Sequence, residues 1–541
     1  MSDPAATRRG GRRPGRPVAL MLLAYAVALL VPAIVLRQAE PLPEGLSPAP
    51  PAIGAPAPDR VEADLARQAT PAGYAREVEA RLASRGFAVF RQRVLRDENV
   101  AGIHPGRSEA MILLVAPLEP GDPASLRAAA AVLAAAEALA GNTTATLLVL
   151  LEAGSRSGHL GAAVFARTFA AAGRIIAGLG VGPLPAGSCL PALGAAGQPH
   201  GYAPIWLRRT AVAVAAAEGA TLADATGVGE WFARAGGRAT GPHGPLLAGR
   251  VPSVTYECGQ TGYASAHMAT ATAPPVMRAS RLAVRFVRTL DGADLPPREA
   301  RPAVTVSADA QIPETRARAA LGMAFMPLWM AATLAVARSG RRAGALRRSL
   351  GAFAVRLAPL LFALLGLWAL PTLGGWRDVP PAPAPDLPLP PLQPLLLVGA
   401  GAALVWLVLR PARRFFAGLT VPPGDRTALL RSQVPAELVA LSLAAGYALL
   451  VNPYAAAILL LPAAWLWPLA VGGPGSALLT LLGGTGVMTL AIGAGIVTGL
   501  DWRIAPYFLE TLAAGGWSAA AGLAGLLAVG AGLGGLARSF R

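Results

Sequence analysis

The sequence has no lysine. Its 47 basic residues are therefore all arginine, set against 30 acidic ones, which leaves a formal charge of +17. Charge of either sign is scarce at 14%, while apolar residues reach 54% and mean hydropathy is +0.49. A soluble globular chain carries roughly 25% charged residues. The shortage excludes an ordinary cytosolic enzyme, and the apolar excess excludes disorder as the main state. The basic surplus does not read as a nucleic-acid surface, because the arginines flank apolar runs, as they do beside membranes. Cysteine is nearly absent too, with only Cys189 and Cys258. Spacing alone leaves a disulfide and two buried thiols equally open.

A run of about 20 apolar residues is long enough to cross a bilayer. The first lies at about 17–36, preceded by Arg8, Arg9, Arg12, Arg13 and Arg16 and followed by Arg37. No small-residue cleavage site follows it, so it reads as an uncleaved anchor; a cleaved signal peptide is the alternative. Further spans are expected at about 319–337, 351–371, 392–409, 433–451, 454–471, 476–499 and 511–536, making about eight. Arginine-rich loops follow the second and fourth spans, and Arg538 and Arg541 follow the eighth. If each span crosses once, all of these share the side of the N-terminus, as the positive-inside rule requires. Arg356 and Glu437 fall near inner span ends, where they can snorkel, and Trp465 and Trp467 fit an inner aromatic belt. The glycine-rich seventh and eighth spans suit close helix packing.

The expected organisation is a basic cytoplasmic tail (1–16), an anchor (17–37), a proline-rich stalk (38–58), a large extracytoplasmic or luminal domain (59–318) and a membrane bundle (319–541). Both termini are then cytoplasmic. A second proline-rich stretch, about 380–394, is an outer loop. In the large domain a helix is expected over about 59–86, then strands at 86–94, 98–103, 110–118 and 144–152. Helices at 124–140 and 158–172 separate them, with further strands at 174–181 and 252–258 and a closing helix at 274–290. Strands alternating with helices imply an α/β domain with a mostly parallel sheet. In such sheets the site lies at the carboxyl ends of the strands.

That rule singles out Glu119, Asp122, Glu152 and His267. Three carboxylates and an imidazole suit a metal ion or acid–base chemistry. The blander alternative is loop residues and a helix cap, since Asp122 precedes Pro123 at a helix start. His104, His159, His200 and His243 all neighbour Gly or Pro and read as turn residues. Asn142 opens a glycosylation acceptor motif. Asn452, Pro453 and Tyr454 form a helix break that would line a lipid headgroup site at the outer face.

The order of motifs from 98 to 170, with 252–258 and 263–267 after them, resembles the zinc aminopeptidase fold. The resemblance maps the bridging metal aspartate to Asp122, the general base to Glu152 and the last metal histidine to His267. The His-x-Asp of that family is replaced by Pro117 and Glu119. Ala153 stands where the second glutamate of a Glu-Glu pair belongs, and a further ligand expected near 177–180 is missing. A two-zinc peptidase site is thus incomplete; one zinc ion, held by Asp122, His267 and Glu119, or none, is what remains. One anchor, a degenerate aminopeptidase-like domain and about seven following spans together resemble the large polytopic subunit of GPI-anchor transamidase, the glycosylphosphatidylinositol attachment protein family. That resemblance implies a protein that brings a glycolipid anchor and a protein substrate together for amide-bond formation, beside other transamidase-type subunits. The alternatives are a membrane-tethered zinc metallopeptidase with an altered site and a non-catalytic scaffold. Segment 182–250 matches no motif.

Overall fold

The computed structural model describes residues 15–470 apart from 52–56, 69, 156–157, 188–189, 196–201, 223, 225, 237–240, 260–273, 294–301, 308, 341–344, 373–391 and 419–425, together with Leu527. The chain opens with α1 (Gly15–Arg37) and a short strand β1 (Glu40–Pro41). Then come α2 (Pro58–Ala66), α3 (Pro71–Ser84), β2 (Ala88–Val94), β3 (Asp97–His104), β4 (Ser108–Pro117), α4 (Pro123–Leu139), β5 (Ala145–Glu152), α5 (Leu160–Thr168), β6 (Ile175–Val181) and β7 (Leu190–Gly194). The domain continues through α6 (Ile205–Ala217), α7 (Val228–Gly236), α8 (His243–Ala248), β8 (Ser253–Gly259), α9 (Pro275–Asp291), β9 (Ala303–Thr305) and β10 (Ala310–Pro313). The remaining helices are α10 (Glu314–Ala324), α11 (Met326–Gly340), α12 (Ala345–Thr372), α13 (Leu392–Gly418), α14 (Arg426–Val451) and α15 (Pro453–Ala470).

The main sheet has seven strands in the order β2-β3-β5-β4-β6-β8-β7. Its centre, β5-β4-β6-β8, is parallel, but β2, β3 and β7 pair antiparallel at the two edges. The sheet is therefore mixed, not mostly parallel. A two-residue turn after Val94 folds β2 directly back onto β3, which only an antiparallel pair allows.

The central strands read as unbroken apolar runs because both faces are covered. Ile112, Leu114 and Ala116 of β4 point with Leu147, Val149 and Leu151 of β5 into a core shared with α2, α4 and α9. Leu113, Val115, Leu148 and Leu150 face the other way, against Phe165 of α5 and Leu246 of α8. Helix α4 is alanine-rich and buried along Ala128–Ala136, as a helix without a polar face must be. The helix expected over 59–86 is two helices. Thr70 caps the second by accepting a hydrogen bond from the Gly73 amide at 3.1 Å, and Pro71 takes its first turn; a proline there starts a helix and disfavours helical continuation from the residue before it.

A second, three-stranded antiparallel sheet, β1-β10-β9, joins the segment leaving α1 to the segment entering α10. The proline-rich stretch after β1 lies along the domain. The Leu46 amide donates to Thr210 Oγ1 at 3.0 Å and the Ala49 amide to Thr289 Oγ1 at 2.9 Å.

Three described helices are long and apolar enough to cross a membrane: Pro17–Arg37, Ser349–Leu367 and Val434–Val451. The pair Glu314–Ala324 and Met326–Arg338, bent by 43°, makes a fourth if counted as one span. The expectation was about eight. The apolar part of α13 is the shorter Leu396–Leu409, α15 lies over the expected 454–471, and 476–499 and 511–536 fall outside the described residues except for Leu527. Arg356 and Glu437 do not snorkel separately. They pair across α12 and α14 at 2.7 Å, Glu437 buried and Arg356 nearly so, because a charge leaving water needs an opposite charge beside it. Trp465 donates to the Ala324 carbonyl at 2.8 Å and accepts the Tyr25 hydroxyl on its own carbonyl at 2.5 Å, tying α1, α10 and α15 together.

Candidate functional site

The carboxyl ends of β4 and β5 bring Glu119, Asp122 and Glu152 into one region, as the sheet rule anticipates. Each carboxylate has a protein partner. Asp122 is the N-cap of α4: Oδ1 accepts from the Ala124 amide at 3.1 Å and Oδ2 from Ser125 Oγ at 2.5 Å. Glu119 Oε1 accepts from both the amide (2.5 Å) and the hydroxyl (3.0 Å) of Ser155. Glu152 ends β5 and is fully buried. One of its oxygens meets His159 Nδ1 at 2.5 Å, and the other accepts from the Ala162 amide at 2.8 Å, in the first turn of α5. A carboxylate is stabilised there by both the amide and the helix dipole.

His159 reaches Glu152 only through an unusual backbone. Its φ of 60° and ψ of 42° are left-handed, directly after Gly158 at φ 74°. That conformation is uncommon outside glycine. It turns the ring back over the strand end instead of outward from the helix start. The turn is locked from beneath by Asn99, which is fully buried. Its side chain accepts from the Ala153 amide at 2.9 Å and donates to the Gly161 carbonyl at 2.9 Å and to Gln92 at 2.8 Å. A Cβ on Gly161 would stand 2.3 Å from Asn99 Oδ1, so glycine is required there. The partnership of Asn99 and His159 was not read from the sequence. The only local signal was the Gly158-His159-Leu160-Gly161 run, which read as a turn.

The zinc expected between Asp122, His267 and Glu119 would need all three side chains, and one of them, His267, is not among the described residues. Both oxygens of Asp122 and both of Glu152 accept or share a hydrogen bond within the protein. Among the described residues, no group of three or more His, Cys, Asp or Glu side chains is placed to hold a metal. His267 lies outside the described residues. His243, also read as a turn residue, is buried, with Nδ1 2.8 Å from Thr255 Oγ1 and 3.9 Å from Glu257 Oε1. It stands beside Thr255 of β8, separated from Glu152 by β4 and β6 in the sheet order. His104 sits at the other end of the sheet, opposite Leu147, with its ring edge-on to Phe87. Cys258 is disulfide-bonded, and the chain has one other cysteine, Cys189.

A second constellation is centred on segment 182–250, which matches no motif. Arg208 of α6 is fully buried and bonds Asp224 at 2.7 Å and Glu230 at 2.9 Å. Arg234 bonds the other oxygen of Glu230 at 2.7 Å and the Ala303 carbonyl at 2.8 Å. Thr305 donates its hydroxyl to Glu230 at 2.5 Å. The Tyr202 ring lies under both guanidiniums, 4.6 and 4.7 Å from them. Burial raises the Tyr202 hydroxyl above its ordinary pKa, and it raises the Asp224 carboxyl against the pull of Arg208. Asn452 and Tyr454 belong to this constellation. Asn452 donates to the Arg234 and Ala235 carbonyls at 3.1 and 3.2 Å, and its Oδ1 accepts from the Ala455 amide, starting α15. Tyr454 is 1% exposed, edge-on to Trp231 at 5.9 Å. The helix break thus seats the large domain on the apolar helices.

No protein-family model matches the chain, and no curated protein matches it. Among solved structures the chain is similar in fold to the LapA aminopeptidase of Legionella pneumophila, at 10% identity over 44% of this chain and 73% of that one, with a TM-score of 0.34. It is similar to the glutaminyl cyclase of Porphyromonas gingivalis at 16% identity, over 44% and 99% of the two chains, with a TM-score of 0.34. A Zn-dependent exopeptidase from Parabacteroides distasonis matches at 12% identity over 45% and 100%, with a TM-score of 0.33.

Proposed function

We propose that this protein is a membrane-anchored docking protein whose aminopeptidase-like domain does not work as a two-metal peptidase. The carrying observation is Glu152. A hydrolytic base must reach a water or a substrate proton. Glu152 is fully buried, and its two oxygens are taken by His159 and the Ala162 amide. Asp122, one of the three expected metal ligands beside Glu119 and His267, caps α4.

The finer reading is attachment of the GPI type. The domain would dock a protein substrate, the apolar helices would present a glycolipid, and other transamidase-type subunits would complete the reaction centre. It is supported by the order of parts in one chain: an N-terminal apolar helix, an α/β domain held to the bundle at its base, then further apolar helices. The domain would face outward or into a lumen, in keeping with the disulfide at Cys258.

The experiment is metal analysis of the purified full-length protein beside a peptide-cleavage assay, each repeated for Asp122→Ala, His267→Ala and Glu152→Gln. The docking reading expects no stoichiometric zinc dependent on Asp122 and no cleavage. About one zinc per chain lost in both ligand variants, with cleavage abolished by Glu152→Gln, would replace it with the altered metallopeptidase. Glycolipid and protein cargo that co-purify with all three variants would support the GPI-type reading.

A further inference from the structure

The seven-stranded sheet ends on one side in β7 and on the other in β2. An edge strand presents a row of unpaired amides and carbonyls to any extended chain, and folded proteins blunt it with short strands, proline or bulges. Strand β7 has five residues and carries Pro191. Strand β2 has neither protection. It runs for seven residues without proline and stays in register with β3 at every pair from Ala88↔Ile103 to Val94↔Asp97.

The hydrogen-bond phase of the sheet fixes which groups of β2 point outward. The Glu152 carbonyl faces β4, where it accepts the Leu118 amide at 2.8 Å, and the Ala153 amide faces β3, where it donates to Asn99 at 2.9 Å. Successive residues of a strand alternate in direction, so Val149 and Leu151 bond to β3, at Gly102 and Val100. The residues of β3 between these bond to the even-numbered residues of β2. Val89, Arg91 and Arg93 therefore aim their amides and carbonyls out of the sheet. Among the described residues, no hydrogen bond reaches those backbone groups.

The side chains along this edge select what can pair with it. Arg91 is matched by Glu79 of α3 and Glu98 of β3. Arg93 lies two residues on and shares that face, yet its Nε bonds only the Leu95 carbonyl, at 3.3 Å. Arg76, one turn of α3 before Glu79, bonds only the Ala72 carbonyl, at 3.1 Å. Arg96 in the turn adds a third such charge, and Asp97 offsets one of the three, so the strip is basic. Pairing with a second copy would set arginine near arginine, which is unfavourable, whereas acidic side chains across the strands are favoured. Leu95 closes the strip. It is 66% exposed, the one exposed large apolar side chain among the described residues between Leu36 and Leu350. Its φ of 54° is left-handed, a conformation that leucine rarely adopts. Nothing in the fold of the domain rewards an apolar residue there.

We propose that the outer edge of β2 docks an extended acidic segment of another protein. The segment joins the sheet as a further strand, sets carboxylates against Arg76 and Arg93, and rests an apolar side chain on Leu95. The strip uses neither Glu152 nor a metal, so it stands independently of the function proposed above. The test is hydrogen exchange of the full-length protein in detergent, with and without a peptide of alternating glutamate and valine. Stretch 88–94 should exchange several-fold more slowly with the peptide, while β4 and β5 stay unchanged. The same peptide methylated at every backbone nitrogen should protect nothing, and neither should a lysine–valine peptide. Arg93→Glu should reverse the preference between the two charged peptides. Arg93→Pro removes an outward amide, keeps the bonds to β3 and should abolish protection. Unchanged exchange in β4 and β5 without peptide checks the fold of both variants. No protection by the glutamate peptide, or equal protection by its methylated form, would overturn the proposal. Slow exchange of 88–94 that needs no peptide and deepens with protein concentration would also overturn it, by giving the edge to a second copy.

Discussion

Asp122 and Glu152 separate two uses of a carboxylate. Asp122 satisfies two donors at the start of α4. Asp122→Ala should cost about 1 kcal/mol, whereas Asp122→Ser, another good N-cap, should cost a few tenths. Denaturant midpoints of the two variants decide it. A metal ligand would lose function in both, while a cap loses little in the second. Glu152 is coupled more deeply. Glu152→Ala leaves the His159 ring nitrogen and the Ala162 amide buried without their shared acceptor, and should destabilise the domain by about 3 kcal/mol. Glu152→Gln can still bond both groups and should lose less. The Asp122 cap was legible in the sequence because capping is local: Asp followed by Pro at a helix start. The Glu152–His159 pair was not. It depends on a left-handed residue, and nothing in the identity of His159 requires that backbone.

At the scale of elements, the central strands and the helices between them were readable because burial on both faces leaves an unbroken apolar run. The short strands were harder. Strand β7 has five residues, β9 three and β10 four, too few for periodicity to speak. Helix α7 hides its meaning in charge: Glu230 and Arg234 look like a solvated i,i+4 pair, yet they are buried and join α6, β9 and α10 to the start of α15. Removing one partner of such a network strands the others in a poor solvent. Glu230→Ala should therefore cost about 3–5 kcal/mol, far above the fraction of a kcal/mol expected of an exposed helix pair. Hydrogen exchange should speed up in α7 and β9 and leave β4 and β5 protected. Asn452→Ala should act on the same joint more weakly, because α7 keeps its ion pairs and loses only the bonds from its carbonyls to α15.

For the whole molecule, the distribution of arginine and the disulfide at Cys258 predict the same orientation by independent routes. The positive-inside rule predicts the cytoplasmic side for the basic flank of α1. Disulfides persist where glutathione and thioredoxin do not reach. If α1 crosses once, the domain that follows it stands on the far side, and Cys258 with it. Sealed vesicles with the cytoplasmic face inward make this testable. A membrane-impermeant maleimide should label neither cysteine before reduction. After an impermeant reductant it should label the chain, without the vesicles being opened. A cysteine introduced at Ser2 should behave oppositely, labelling only once the membrane is permeabilised. Thiols reactive from the start in inside-out vesicles would put the domain in a reducing compartment, and the docking of an external or luminal protein substrate would fall with it. Opposite labelling of Ser2→Cys and the reduced native cysteines would fix α1 as a crossing helix and leave the domain where a secreted or luminal partner can reach it.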